Sequence, residues 1–224
     1  MPSYFTFVRH GETFGNREEI AHGQWESPLT DLGLTQAQRA GRALAGWQRR
    51  FHRVYASPLS RALETGRIVA ETLELPLHEH EGLMEGSLGD WEGITYEQLG
   101  EVRFAERSIR DDDFRGHNGE SPRQLAERMT RTLLHIRQEH PNENIVIVSH
   151  GAAIAHGLAR MLNTRPLFGH QYIMTNAGIA EVEMLDHHDP TKPSDGSAAL
   201  KVLNYKDHLT DLPGGDGHGT GRRK

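Results

Sequence analysis

The chain has no cysteine among its 224 residues, which excludes disulfides, thiolate catalysis and sulfur-ligated metal. It also lacks any run approaching the roughly 20 apolar residues of a spanning helix. Its start, MPSYFTFVRHGET, has neither the charged segment nor the apolar core of a signal peptide. A soluble, cytoplasmic protein without a membrane partner is expected. A basic surplus is missing too: 25 Lys and Arg stand against 31 Asp and Glu, a formal net charge of -6. That sign disfavours nucleic acid as a partner, yet it leaves room for a small anion in a local basic pocket. The one basic cluster, QRRFHR (Gln48 to Arg53), falls where a helix C-terminus is expected, and cations are favoured there by the helix dipole.

Histidine is abundant, with 15 residues. His78, His80, His187, His188 and His218 lie among turn formers and charges, where exposed imidazoles are ordinary. His187, His188 and Asp189 could chelate a metal adventitiously, but no second pair at helical spacing supports a designed site. No metal and no cofactor are expected.

The pattern along the chain alternates strands and helices. Tyr4 to Val8 reads as a buried strand, and a helix is predicted from Thr30 to about Phe51, with Leu34, Ala37, Ala40, Leu44 and Trp47 near one face. Arg53 to Ser57 is a second strand and Leu59 to Leu73 a second helix. Glu81 to Gly93 is a glycine-rich loop, and Thr95 to Arg110 is a weak, highly charged helix. Ser121, Pro122 and Gln124 form the best helix start in the chain, opening a helix to Glu139. Asn144 to Ser149 is a continuous β-branched run of the kind buried on both faces of a parallel sheet, followed by another helix. GIAEVEML and ALKVLNYK read as a closing antiparallel edge hairpin. Residues 1–210 are expected to form one domain and 211–224 a disordered tail.

This order predicts an α/β fold: a three-layer α/β/α sandwich with a mostly parallel central sheet and an antiparallel edge hairpin. Such sheets bind ligands beyond the carboxyl ends of their strands. The rule places Arg9-His10-Gly11 and Ser149-His150-Gly151 on one rim, each beside backbone N–H groups that favour an anion. Arg61, in the first turn of the helix after the second strand, joins them. Singly, each is an ordinary solvated or structural residue. Together they form a cationic cradle sized for one phosphoryl group. Glu85, in GLMEG, reads either as a solvated loop carboxylate or as a proton donor at the pocket mouth.

FVRHGET, SPLT, ASPLSRA, LMEGSLGDWEG, NGES and VSHG, in this order, resemble the motifs of the histidine phosphatase superfamily, also called the phosphoglycerate mutase-like family. The resemblance runs from about Ser3 to about His208. It implies that His10 is the nucleophile that becomes phosphorylated. Arg9, Asn16, Arg61, His150 and Gly151 would hold the phosphate, and Glu85 would be the acid/base carboxylate. Many relatives carry an aromatic residue and a glutamine where this chain has Gly15 and His22, so the pocket wall is altered.

The chemistry explains the residue types. An unassisted phosphate monoester hydrolyses extremely slowly, so a site must position the attacking atom and stabilise charge on the transferring group. His10 must therefore present an unprotonated nitrogen, its other N–H held by a carbonyl. Glu85 must deliver a proton to the ester oxygen and then take one from water. The arginines supply the positive charge that a magnesium ion would otherwise bring.

The expected activity is thus metal-independent hydrolysis of a small phosphorylated metabolite through phosphohistidine. Sugar phosphates, phosphoglycerates, nucleotide-derived monoesters and a cobalamin precursor phosphate all fit. The alternative is mutase-type transfer, disfavoured by the short segment from Gly86 to Ser149. A non-catalytic phospho-ligand binding domain would show a damaged nucleophile or acid, and both are present. His22, Gly23, Arg107 and Arg110 are candidate substrate contacts, and the edge hairpin offers a surface for a homodimer.

Overall fold

The computed structural model describes residues 3–185 and 198–213. In chain order its elements are β1 (Ser3–Arg9), α1 (Phe14–Arg17), α2 (Asp31–Ala45), β2 (Arg53–Ala56), α3 (Ser60–Leu73) and β3 (Leu77–Glu79). They continue with α4 (Tyr96–Glu101), α5 (Phe104–Arg110), α6 (Pro122–Glu139), β4 (Ile145–Ser149), α7 (Gly151–Met161), β5 (Ile179–Met184) and β6 (Ala198–Tyr205). Short 3₁₀ turns fill several of the links.

The strands form one six-stranded sheet in the order β3-β2-β4-β1-β5-β6. The first four run parallel, and β5 and β6 add antiparallel at the β1 side. The expected mixed sheet with a terminal antiparallel hairpin is therefore present. Its helices cover both faces because the central strands are apolar on both. Ile145 and Ile147 of β4, with Phe5 and Phe7 of β1, pack against Met129, Leu133, Ile154 and Leu158 of α6 and α7. The alternate residues Val146 and Val148, with Val8 and Val54, pack against Ala40, Leu44, Ala62 and Val69 of α2 and α3. This two-sided alternation is what a strand buried between layers requires.

Several boundaries differ from the sequence reading. Helix α2 stops at Ala45 with Gly46 at its C-cap, short of Phe51. Trp47 and Phe51 still contribute apolar packing from the link, Trp47 against Tyr205 at 6.0 Å between ring centroids. The basic cluster consequently lies beyond the helix, where Arg49 pairs with Glu181 at 2.7 Å and Arg53 with Glu143 at 2.6 Å. The single charged helix expected from Thr95 to Arg110 is two, α4 and α5, broken where Arg103 adopts a φ of 53°. The loop Glu81 to Gly93 contains two 3₁₀ turns, Glu81–Leu83 and Gly89–Trp91. Of the tail expected over 211–224 the first residues are held to the fold, with Asp211 paired to Arg39 at 2.8 Å and Leu212 packed on the core, while 214 onward, and His187, His188 and His218, lie outside the described residues. Among the described residues no helix is long and apolar enough to cross a membrane.

The turn after β1 is locked onto the start of α2. Thr30 caps that helix by accepting the Gly33 N–H at 3.0 Å, and its hydroxyl donates to the Glu12 carboxylate at 2.8 Å. A side chain at Gly33 would place its Cβ 2.1 Å from the Glu12 carbonyl oxygen, so only glycine permits this approach. Gly33→Ala is expected to cost about 1–3 kcal/mol of stability, as overpacking against backbone does. Urea unfolding would show it as a lowered midpoint at unchanged slope.

Candidate active site

Strands β1, β2 and β4 end side by side, and the residues following them meet at one rim. His10 follows β1, Ser57 follows β2 and His150 follows β4. His10 is 3% exposed, and its backbone N–H donates to the Ser149 carbonyl at 3.0 Å, tying the ends of β1 and β4 together. The two imidazoles lie 5.2 Å apart between centroids at a tilt of 59°.

The tautomers follow from their partners. His10 Nδ1 lies 2.8 Å from the Gly11 carbonyl, which can only accept, so Nδ1 carries the proton and Nε2 is the free nitrogen. His150 Nδ1 accepts from Arg61 Nε at 3.2 Å, and its Nε2 donates to the Ser57 hydroxyl at 2.8 Å. Both rings are held neutral: burial, followed by the Arg61 guanidinium, lowers each well below the ordinary imidazole value.

Arg61 opens α3 and is 1% exposed. Besides His150, it donates to the carbonyls of Trp25 at 2.8 Å and Gly23 at 2.6 Å. Arg9 donates to the Met174 carbonyl at 2.6 Å, while its Nε, buried, has no hydrogen-bond partner. A buried orphan donor on a cation beside a free imidazole nitrogen is a place for an anionic oxygen. Asn16, in the one-turn helix α1, has its side-chain oxygen engaged by the Thr13 N–H and the Asn176 amide, which leaves its NH₂ for an acceptor.

Glu85 lies across the rim in the loop after β3. Its carboxylate accepts the N–H of Ala152 at 3.1 Å and of Ala153 at 2.8 Å, in the first turn of α7, and of Gly86 at 2.9 Å. The helix start that follows His150 thus holds the carboxylate in place.

Arg9, His10, Asn16, His22, Gly23, Arg61, Glu85 and Gly151 line one cavity of about 380 Å³. His150 stands behind them, fully buried against Arg61. Arg107 and Arg110, expected as substrate contacts, are not part of the wall. Arg110 is turned to Glu106 on its own helix at 2.7 Å, and Arg107 stacks over the Phe114 ring at 5.9 Å, because α5 presents Phe104 and Ser108 to the cavity instead.

The two unusual wall residues are coupled. A Cβ at Gly15 would come within 2.8 Å of His22 Nδ1, so the imidazole occupies the space a side chain at 15 would need.

A family profile described as the histidine phosphatase superfamily (branch 1) matches residues 5–191. The chain belongs to that superfamily. It is 38% identical over 152 residues to phosphoglycerate mutase-like protein 4 of Arabidopsis thaliana, an alignment covering 66% of each chain, about two thirds of that relative's length. Its fold is similar to a phosphoserine phosphatase from Entamoeba histolytica solved with 3-phosphoglyceric acid. The TM-score is 0.79 at 28% identity, over 92% of this chain and 99% of that one. It is also similar to the mycobacterial glucosyl-3-phosphoglycerate phosphatase solved with VO3. There the TM-score is 0.78 at 27% identity, over 90% and 99%.

Three residues that hold this histidine phosphatase site together are not evident from its motifs. Asn176, just before β5, donates to the carbonyls of His10 and Gly11 and to the Asn16 side chain. Its signal was the turn sequence TNAG at the head of an antiparallel strand, which places it at the same rim where β1 ends. Ser57 orients His150, and only its position directly after β2 marks it.

The third is Arg128, on α6. It donates to the carbonyls of Gly82, Met84 and Glu85, at 3.1, 2.9 and 3.1 Å, and grips the Glu120 carboxylate in a two-point ion pair. It therefore fixes the loop that carries Glu85. Arg128→Ala is expected to lower kcat about ten- to a hundredfold for esters of poor leaving alcohols, the scale of a misplaced group, and Arg128→Lys to rescue little, since lysine lacks the fork. Steady-state kinetics on both variants checks this.

The neutral imidazoles also predict a pH response. The folded chain keeps His10 and His150 unprotonated well below the pH, about 6.5, at which the unfolded chain takes up protons. The unfolded state then binds more protons, so stability is complete above about pH 6.5 and falls on acidification. The urea midpoint should be lower at pH 5.5 than at 7.5, and the ring resonances of His10 should still report a neutral imidazole at pH 6.

Proposed function

We propose that this protein hydrolyses small phosphomonoesters through a phosphohistidine at His10. The observation that carries the reading is the His10 ring itself: its Nδ1–H is committed to the Gly11 carbonyl, so a bare Nε2 faces a cavity walled by Arg9 and Arg61. In the first step the Nε2 lone pair attacks phosphorus in line and the ester P–O bond breaks. The leaving oxygen takes a proton from Glu85. Arg9 and Arg61, with the Asn16 amide, hold the phosphoryl oxygens and offset the charge spread over them. In the second step Glu85 removes a proton from water, the water oxygen attacks phosphorus and the P–N bond breaks. Inorganic phosphate and a neutral His10 are returned, with Glu85 protonated for the next cycle.

The relatives' names fit this reading, since phosphoserine and glucosyl-3-phosphoglycerate phosphatases both release phosphate from small metabolites. The deciding experiment measures phosphate release from a panel of esters, including 3-phosphoglycerate and 4-nitrophenyl phosphate. His10→Ala should reduce release at least about a thousandfold, as loss of a nucleophile does. The wild type should yield an acid-labile, base-stable phosphoenzyme on rapid quench. Glu85→Gln should impair alkyl esters far more than 4-nitrophenyl phosphate, whose leaving group needs no proton. Transfer to a second oxygen of phosphoglycerate without release would instead make the protein a mutase, and a folded wild type with no turnover would make it a binding domain.

A further inference from the structure

The cavity has two chemically different ends. Arg9 and Arg61 stand at the phosphate end, and no other lysine or arginine among the described residues lines the wall. The rest of the wall is rich in apolar groups, among them Leu88, Leu99, Phe104, Leu125 and Ile173. Ile173 is 61% exposed at the mouth, an apolar surface the fold itself does not cover.

Three of the nearby arginines are ion-paired, Arg128 with Glu120, Arg123 with Asp113 and Arg165 with Asp112, and Arg115, whose Nε donates to the Gly119 carbonyl, is not part of the wall. Glu120, the second carboxylate on the wall, is neutralised by Arg128. His117 and His156 also line the cavity, and burial lowers both from the ordinary imidazole value, so neither supplies a cation at neutral pH.

Resting on the phosphatase reading, we propose that the alcohol portion of the substrate is uncharged and carries an apolar body, a ring or short alkyl group, that lies on the α4–α5 wall. A carboxylate there would lose its water without meeting a partner charge. This separates the chain from the relatives named for phosphoserine and glucosyl-3-phosphoglycerate, whose substrates carry a second anion.

The test uses a matched pair, 2-phenylethyl phosphate and its para-carboxylate, whose alcohols are of similar acidity. It is run at pH 8 so that exposed imidazoles are neutral. The uncharged ester should be favoured at least about tenfold in kcat/KM, the scale on which a site rejects a group it leaves unpaired. The same preference should appear in the Kd values of the two esters for His10→Ala by calorimetry. Ile173→Arg, at an exposed position, should narrow the preference severalfold by improving the carboxylated ester. Equal or inverted preference in the wild type overturns the proposal, as does failure of His10→Ala to bind either ester. Tighter binding of the uncharged ester with no phosphate release from either would uphold the pocket assignment while removing the phosphatase reading.

Discussion

A guanidinium removed from water must have its N–H groups met by acceptors or by a bound anion, and Arg61 is where this protein meets that demand. Its Nε donates to His150 and each terminal nitrogen donates one N–H to a carbonyl, of Trp25 or Gly23, which leaves a second N–H on each for a bound anion. One buried cation thereby fixes the second histidine's tautomer, pins the loop carrying His22 and Gly23, and contributes to the field that keeps His10 neutral. An isolated buried charge would cost several kcal/mol, so the loop, the imidazole and the arginine form one unit that cannot be rearranged piecemeal.

His10 and Glu85 are positioned by different parts of the sheet's rim. His10 depends on the β1 turn, which is bound to β4 through Ser149, to the turn before β5 through Asn176, and to α2 through the contact of Gly33 with Glu12. Glu85 depends on the start of α7 and on Arg128 of α6. Helices from both layers therefore reach the reacting centre. The two-layer cover of the sheet is accordingly part of the site as well as part of the core.

The cavity wall joins two parts: strand-end residues, which bring the charge of Arg9 and of His10's neighbours at the rim, and the insertion between β3 and α6, which carries much of the apolar surface. The insertion has its own short helices α4 and α5 and an aromatic cluster of Trp91, Phe104, Phe114 and His117 beneath them.

Local pattern was enough to predict every strand but the short β3, the cap of α6, the parallel core and the gathering of Arg9, His10, Arg61 and His150. Strand ends converge on one edge in any sheet of this order, and apolar periodicity reports the layers directly. Where α2 stops, and that the Thr95 to Arg110 stretch bends at Arg103, were not readable, because both depend on competition between weak local preference and packing. Which arginine faces the cavity was likewise a tertiary decision. Arg107 and Arg110 looked suitable by position, yet the rotation of α5 about its axis turns Phe104 and Ser108 inward and leaves those charges outside. Asn176, Ser57 and Arg128 act on His10, His150 and the Glu85 loop through contacts between segments 43 to 166 residues apart in the chain, and such contacts exist only once the sheet has brought its ends together. The sequence by itself determined which chemistry was possible, since the residue types at the strand ends admit little else. The tertiary structure decided which nitrogen is free, which cations remain available and how much of the cavity is apolar, because these depend on hydrogen-bond partners and burial that no local pattern encodes.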